Sequence, residues 1–436
     1  ADTARRYSRA DQLATRRIIR SMGIRLPLLV GPDNVIIWGG HVHAAALTEK
    51  IDQIPIIRVN DREVSVRRAL SVACNRLGEL GSWEREQLGK LMIEFEAEIS
   101  DIDLGDLGFE VSEIDLALEA AEAEEEPIEE LPLLTEAGSP ISVVGDLWVM
   151  GKHRLLVGDA TRAECYHLLM GTRKAHAVFT DPPFGCKIDG FVAGAGRHRE
   201  FVMASGDMSD EELLEFFRSF LAELSDVLER GAVLYLVIDW RSLQLLMEAA
   251  RPIFGKLVNL AIWAKDRAGM GSFLRSQHEM VLIYKTAGKM RNNVSLGKHG
   301  RHRTNVWQYP SAKTASKGSD EGNMLANHPT PKPVRMVADA ILDTTKRGDT
   351  VLDPFLGSGT TLIASEKVGR TCFGMELDPH YADLIVRRWQ AWTGQSAIHA
   401  NSDQSFDELA IKRSARSGRD GADALPGKDQ EGSEDE

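Results

Sequence analysis

Asp181, Pro182, Pro183 and Phe184 close an apolar, β-prone run, "AVFTDPPFGC" from Ala177 to Cys186. An aspartate is poorly suited to continuing a strand, and two prolines cannot donate to a ladder and fix their own φ. The chain stops, stiffens and presents a carboxylate beside a ring. Such a corner is either strand punctuation or a rigid acceptor with a stacking face for a ligand. A second set of residues lies in "TVLDPFLGSGTTLIASEKVG", Thr350 to Gly369. A strand ends at Asp353, the loop carries Gly357 and Gly359, and a helix opens near Thr360. Glycines there admit a ligand closely, and the helix start offers free N–H groups and partial positive charge. No Lys-Ser/Thr follows, so this is not a P-loop, and Leu362 stands where a dinucleotide fingerprint places its third glycine. Beyond it, "GMELDPHY" puts Glu376 at the end of the next strand, where an acid can accept both hydroxyl hydrogens of a ribose. The unit reads as a nucleoside holder; the rival readings are a tight connection at the glycines and a surface acid at Glu376.

These residues need a scaffold. "HRLLVGD", "AHAVFTD", "GAVLYLVID", "LVNLAIWAK", "EMVLIYK", "DTVLDPF" and "RTCFGMEL" are strand candidates, while "DEELLEFFRSFLAELSDVLER" and "TTLIASEKVG" are helices. Near-continuous apolar strands alternating with helices argue for an α/β, mostly parallel, doubly wound sheet. Ligands in such sheets sit beyond the carboxyl ends of strands where strand order reverses. If the strands ending at Asp353 and Asp181 are neighbours there, the two groups of residues share one crevice.

The chain of 436 residues with 43% hydrophobic content has room for two or three domains. Its apolar runs are too short to span a bilayer, and the arginine-rich start lacks the apolar core of a signal peptide. Cys74, Cys165, Cys186 and Cys372 are scattered without a CxxC pair, which argues against a disulfide framework or zinc site and fits a reducing cytoplasm. The formal net charge of -13 argues at first against a nucleic-acid partner. Its distribution is uneven. Glu119 to Glu130 holds seven acids, whereas Lys285 to Lys317 holds eight Lys/Arg and no acid. The basic segment is either a solvated loop or a local anion-binding surface. Residues 1–116 read as a small α/β unit, 117–140 as an acidic linker and 403–436 as a disordered tail.

Residues 141–402 resemble the β group of S-adenosylmethionine-dependent DNA amino-methyltransferases. The resemblance rests on "TDPPFG", "DPFLGSGTT" and "HPTPKP" (His328 to Pro333), the catalytic motif preceding the cofactor motif, with "GDLWVMGKHRLLVGDAT" upstream and "WAKDRAGMGSFLRSQHEMVLIYK" between. It implies a permuted Rossmann-like methyltransferase fold, a mostly parallel seven-stranded sheet with one antiparallel strand. It implies methyl transfer to an exocyclic amine of a flipped base in double-stranded DNA. By matching position, Asp181 and the Pro182 carbonyl would accept the amine hydrogens, Pro183 would stiffen the corner, and Phe184 would stack on the base. Asp353, Phe355, Gly357, Gly359 and Thr360 would line the cofactor, Glu376 its ribose, Asp159 of "VGDAT" its adenine, and Thr330 and Lys332 its carboxylate. Lys298, Arg301 and Arg303 are the DNA-contact candidates; Trp307 is either a further contact or a core residue. Asp rather than Ser in the first position favours adenine N6, with cytosine N4 as the alternative. A DNA-binding protein with an inactive methyltransferase unit is the reading from another class. No metal and no membrane are implied, a homodimer is left open, and a cytoplasmic prokaryotic or phage setting fits. Residues 1–116 resemble ParB/sulfiredoxin-like nuclease-type domains through "ADQLATRRIIRSMGIRLPLLV", "GGHVHAAAL" and "IPIIRV". They lack the family's initial strand and carry His43 where relatives have arginine, so a DNA-binding or targeting role is expected. His41 and His43 are read as turn histidines, with a metal pair as the rival.

Overall fold

The chain separates into two units, Ala1–Glu126 and Pro127–Glu436. The computed structural model describes residues 7–61, 63–77, 80, 83–99, 103–122, 139–184, 208–269, 273–292, 303–310 and 332–420.

The amino-terminal unit opens with α1 (Arg9–Met22), started by a reciprocal cap between Ser8 and Asp11. A three-stranded sheet follows, β1 (Leu28–Val30) lying between antiparallel β2 (Ile36–Trp38) and parallel β3 (Ile56–Arg58). Helices α2 (Gly40–Thr48), α3 (Val64–Leu77), α4 (Arg85–Glu98) and α5 (Val111–Glu122) complete it. Leu88 and Met92 of α4 close on Ile114, Ala117 and Leu118 of α5. The expected onset of the linker at 117 is therefore too early, because Ala117, Leu118 and Ala121 form the buried stripe of a helix that continues to Glu122. Residues 123–138 of that linker lie outside the described residues. His41 stacks on Tyr7, with ring centroids 4.4 Å apart. No cluster that could hold a metal ion occurs among the described residues.

The second unit contains, in order, β4 (Leu147–Met150), β5 (His153–Val157), α6 (Ala163–Met170), β6 (Ala175–Thr180), α7 (Asp210–Asp226), β7 (Leu228–Ile238), α8 (Leu243–Phe254), β8 (Asn259–Ala264), β9 (His278–Lys285) and β10 (Val306–Gln308). Then come α9 (Val334–Thr344), β11 (Thr350–Asp353), α10 (Thr360–Lys367), β12 (Thr371–Glu376), α11 (Pro379–Thr393), β13 (Ile398–His399) and α12 (Phe406–Asp420). The strands form one sheet in the order β10-β8-β9-β7-β6-β11-β12-β5-β4-β13. The seven strands from β8 to β5 are the seven expected, and among them only β9 runs antiparallel to its neighbours. The sheet is wider than seven, with β10 added at one edge and β4 and β13 at the other. β10 and β13 have only three and two residues, too few to show a period in the sequence.

The core strands are buried on both faces, which is why they read as unbroken apolar runs. In β7, Val233, Tyr235 and Val237 face a core shared with α9, α10 and α11; Leu234, Leu236 and Ile238 face one shared with α6, α7 and α8. Helix α7 shows how the sequence sets such packing. Ser209 and Glu212 cap it reciprocally, and Leu213, Phe216, Phe217, Phe220, Leu221 and Leu224 recur at helical spacing on its buried side.

The expected disordered tail from 403 is corrected over its first part by α12, and residues 421–436 lie outside the described residues. Phe406 and Leu409, one turn apart, are buried, and the Arg413 guanidinium reaches Asp146 at 2.6 Å. A short polar helix with one anchored stripe resembles a tail in composition. No described helix is long and apolar enough to cross a membrane.

Candidate active site

The chain leaves β6 through α7 to β7 on one side and leaves β11 through α10 to β12 on the other. Strand order thus reverses between β6 and β11, which pair in parallel with Val351 opposite Ala177 and Leu352 opposite Val178. Asp353 lies opposite Gly374, and Glu376 opposite Val157. The carboxyl ends of four adjacent parallel strands therefore bring Asp181, Asp353, Glu376 and Asp159 to one edge. The Thr180 hydroxyl donates to Asp353 Oδ1 at 2.7 Å, so the two informative stretches meet directly.

At the Asp-Pro-Pro-Phe corner, Asp181 Oδ2 accepts from the Lys332 ammonium, while the buried Oδ1 has no hydrogen-bond partner among the described residues. Lys332 is 6% exposed and also pairs with Glu279 at 3.3 Å. Glu279 in turn holds Lys265 at 2.5 Å, and the Lys265 ammonium lies 4.7 Å from the Trp263 ring centroid. Burial pushes the Asp181 carboxyl up to about 6 against the pull of Lys332, with Glu279 adding to the rise. Burial also works to raise Glu279, but the two ammonium groups outweigh it and hold Glu279 below its ordinary value. Lys332 is held well above the usual lysine range by its two carboxylates, despite burial. Pro182 is buried and Phe184 partly so. The Phe184 carbonyl accepts from Ser242 Oγ at 2.9 Å, and Asp239 fixes the Ser242 amide at 3.1 Å.

A role at the cofactor carboxylate was expected of Lys332; among the described residues its ammonium pairs with Asp181 and Glu279. Thr330 lies outside the described residues. Sequence reasoning missed Glu279 and Lys265, although an acid near the start of the apolar run "HEMVLIYK" was a usable signal, since an acid buried in a strand needs a partner.

The glycine turn is held from below. Asp353 accepts from Thr180, from Thr361 Oγ1 at 2.6 Å and from the Phe355 amide at 3.1 Å, and burial pushes it to about 6. Its carboxylate therefore organises the loop from inside. Phe355 stacks edge-on to Phe220, with centroids 5.1 Å apart, and supports the loop in the same way. Gly357 and Gly359 have φ of 54° and 85°, the left-handed region that favours glycine. The Gly357 amide donates to Glu376 Oε2 at 2.8 Å, and the Asp378 amide to Oε1 at 3.0 Å. Burial pushes Glu376 to about 7, offset in part by these two amides. Arg388, buried in α11, donates to the Ser358 carbonyl at 2.9 Å. Thr360 is buried at the first turn of α10, and Leu362 is wholly buried in the core, which accounts for the missing third glycine. Asp159 Oδ1 accepts from the Thr161 amide and hydroxyl at 2.8 and 2.7 Å beside the end of β12, where the Gly158 amide donates to the Glu376 carbonyl.

The DNA-contact candidates fare differently. Lys298 and Arg301 lie outside the described residues. Arg303 turns inward, ion-paired to Asp343 at 3.0 Å and 4.5 Å over the Trp307 ring, which is itself 6% exposed in β10. Arg303 and Trp307 brace the sheet edge, so a DNA contact at Arg303 would compete with its pairing to Asp343 and its seat over Trp307.

Glu376 at its strand end, the glycine turn against the start of α10, and the buried Asp181 oxygen lie at the same edge of the sheet, an arrangement that fits a nucleoside ligand. Residues 175–387 match the family model described as DNA methylase. The type II methyltransferase M2.DpnII of Streptococcus pneumoniae is 26% identical over 225 residues, covering 49% of this chain and 82% of the relative. The DNA adenine methyltransferase YhdJ of Escherichia coli K12 is 23% identical over 269 residues, covering 55% and 82%. The crystal structure of an M1.HpyAVI–SAM complex is 19% identical, with a TM-score of 0.39, and covers 54% of this chain and 97% of that one.

Proposed function

We propose, from the premise that residues 175–387 form a DNA methylase domain, that this chain transfers the methyl group of S-adenosylmethionine to the exocyclic N6 of an adenine in double-stranded DNA. The observation that carries this reading is the buried Asp181 Oδ1, without a partner among the described residues, beside the strand end that bears the glycine turn. The YhdJ relative, named for adenine, supports the choice of base.

An aromatic amine is a poor nucleophile because its lone pair is delocalised into the ring. Asp181 Oδ1 would accept one amine hydrogen and the Pro182 carbonyl the other, which favours a pyramidal nitrogen with a localised pair. Lys332 fixes the other Asp181 oxygen, so the free one is preorganised. Phe184, braced through Ser242, offers the base a face. The bound cofactor supplies a methyl group on a sulfonium, an electrophile open to in-line attack. Glu376 would hold its ribose, with Asp159 beside it; Gly357, Gly359 and Thr360 would admit its amino-acid portion. The proton released from nitrogen passes to Asp181 or to water. Base flipping costs a few kcal/mol, which stacking and phosphate contacts offset. The amino-terminal unit is proposed to add DNA affinity.

The test is transfer of labelled methyl to DNA by wild type and Asp181→Ala, with nucleoside analysis of the product. Wild type should yield N6-methyladenine, and the variant should lose at least about a hundredfold in rate while binding the cofactor normally. Substantial transfer by Asp181→Ala would overturn the mechanism; N4-methylcytosine would overturn the choice of base.

A further inference from the structure

Phe273 and Leu274 are the two most exposed large apolar side chains among the described residues, at 93% and 78%. A single exposed leucine is ordinary, but two adjacent apolar side chains almost fully in water call for a partner. They sit in the turn between β8 and β9, whose pairing ends with Ala264 opposite His278. The turn is braced. The Lys265 amide donates to the Gln277 carbonyl at 2.9 Å, the Gly269 amide to the Ser276 carbonyl at 2.7 Å, and the Arg275 guanidinium to the carbonyls of Gly269 and Ala268 at 3.0 and 2.8 Å. A turn held from inside by its own arginine keeps its apolar pair pointed outward.

The position of this turn is fixed by the sheet. β9 is antiparallel to both β7 and β8, and β7 is parallel to β6, so the β8–β9 turn leaves the same edge as Asp181. Its base is tied to the site by contacts already described, from Lys265 through Glu279 and Lys332 to Asp181. Arg267 is exposed on the turn. At the end of β7, exposed Trp240 carries the Arg241 guanidinium 4.7 Å over its ring. The rim thus sets exposed apolar rings beside two arginines, of which Arg241 also pairs with Asp239 at 2.9 Å and Arg267 follows the exposed Asp266.

We propose that Phe273 and Leu274 form a wedge that enters the base stack of duplex DNA beside the target nucleotide and stabilises its extruded state. The inference rests on the reading of the site as a DNA methyltransferase. Apolar side chains driven between base steps unstack a duplex, and the buried interior of the stack is the partner an exposed Phe–Leu pair lacks in water. Basic residues on the same rim meet the phosphates.

The test compares two oligonucleotide duplexes carrying the methylated sequence, read first by sequencing DNA from expressing cells. One has the target adenine paired; the other has it opposite an abasic position, so that pairing no longer opposes extrusion. In single turnover at saturating cofactor, Phe273→Ala/Leu274→Ala should slow transfer to the paired duplex at least about tenfold and to the abasic duplex less than about threefold. The fluorescence rise of 2-aminopurine at the target position should shrink in parallel, and Phe273→Trp, which keeps a ring, should retain most of it. Equal losses on both duplexes, no loss, or a change in sedimentation indicating a chain–chain surface would overturn the wedge. Wild type failing on both duplexes would instead overturn the methyltransferase reading.

Discussion

Lys332 is shared between two buried carboxylates, and that sharing decides what Asp181 can do. Below about 6 the Asp181 carboxyl is protonated and its free oxygen is a much weaker acceptor for the amine hydrogen, so methyl transfer should fall as pH drops through that value. The ammonium lowers this value by favouring the charged carboxylate. Lys332→Gln removes that pull, so the acid limb of the single-turnover pH profile should move to higher pH. Cofactor affinity, set at the neighbouring strand ends, should hold nearly constant. An unshifted limb would mean that Lys332 only fills space. The motif around Lys332 marked it as important, yet suggested a different partner. Asp181 and Lys332 are 151 positions apart, and no local pattern records which distant carboxylate a lysine meets.

At the scale of elements, strands with long apolar runs and helices with capped, periodic faces were legible; short edge elements were not. α12 is the clearest case. Phe406 is 1% exposed, with its ring 5.2 Å from Trp148, and Arg413 pairs with Asp146. Truncating a buried aromatic costs ~3–5 kcal/mol. Phe406→Ala should therefore lower the urea midpoint of the second unit by a corresponding amount, as followed by circular dichroism. A midpoint within error of wild type would show that this helix is dispensable. The helix escapes sequence reading because its core contribution rests on two apolar residues in an otherwise charged segment.

For the whole molecule, the division at Glu126 and Pro127 separates two sets of contacts, each with its own core. Contacts confined to one unit make it able to fold alone. A fragment spanning residues 127–436 should bind S-adenosylmethionine with unchanged affinity in calorimetry, whereas failure to bind would show that the first unit completes the pocket. The net charge of -13 is unfavourable for binding a polyanion, so the proposed DNA contact calls for locally basic surface. On the described part of the rim Arg267 is exposed, while Arg241 pairs with Asp239 and Arg275 is held by the carbonyls of Gly269 and Ala268.

The alternation of apolar strands and helices, the rigid Asp-Pro-Pro-Phe corner and the glycine turn are local consequences of residue type, and the sequence determined them by itself. The kind of sheet and the identity of its seven central strands followed from them. The tertiary structure alone decided that Lys332 serves Asp181, that Arg303 faces inward, that Asp353 braces its loop, and that Phe273 and Leu274 stand in water at the active edge. Each of these depends on which distant groups a fold brings within a few ångströms. Burial then changes the energy of a charge or an apolar surface far more than sequence neighbours do.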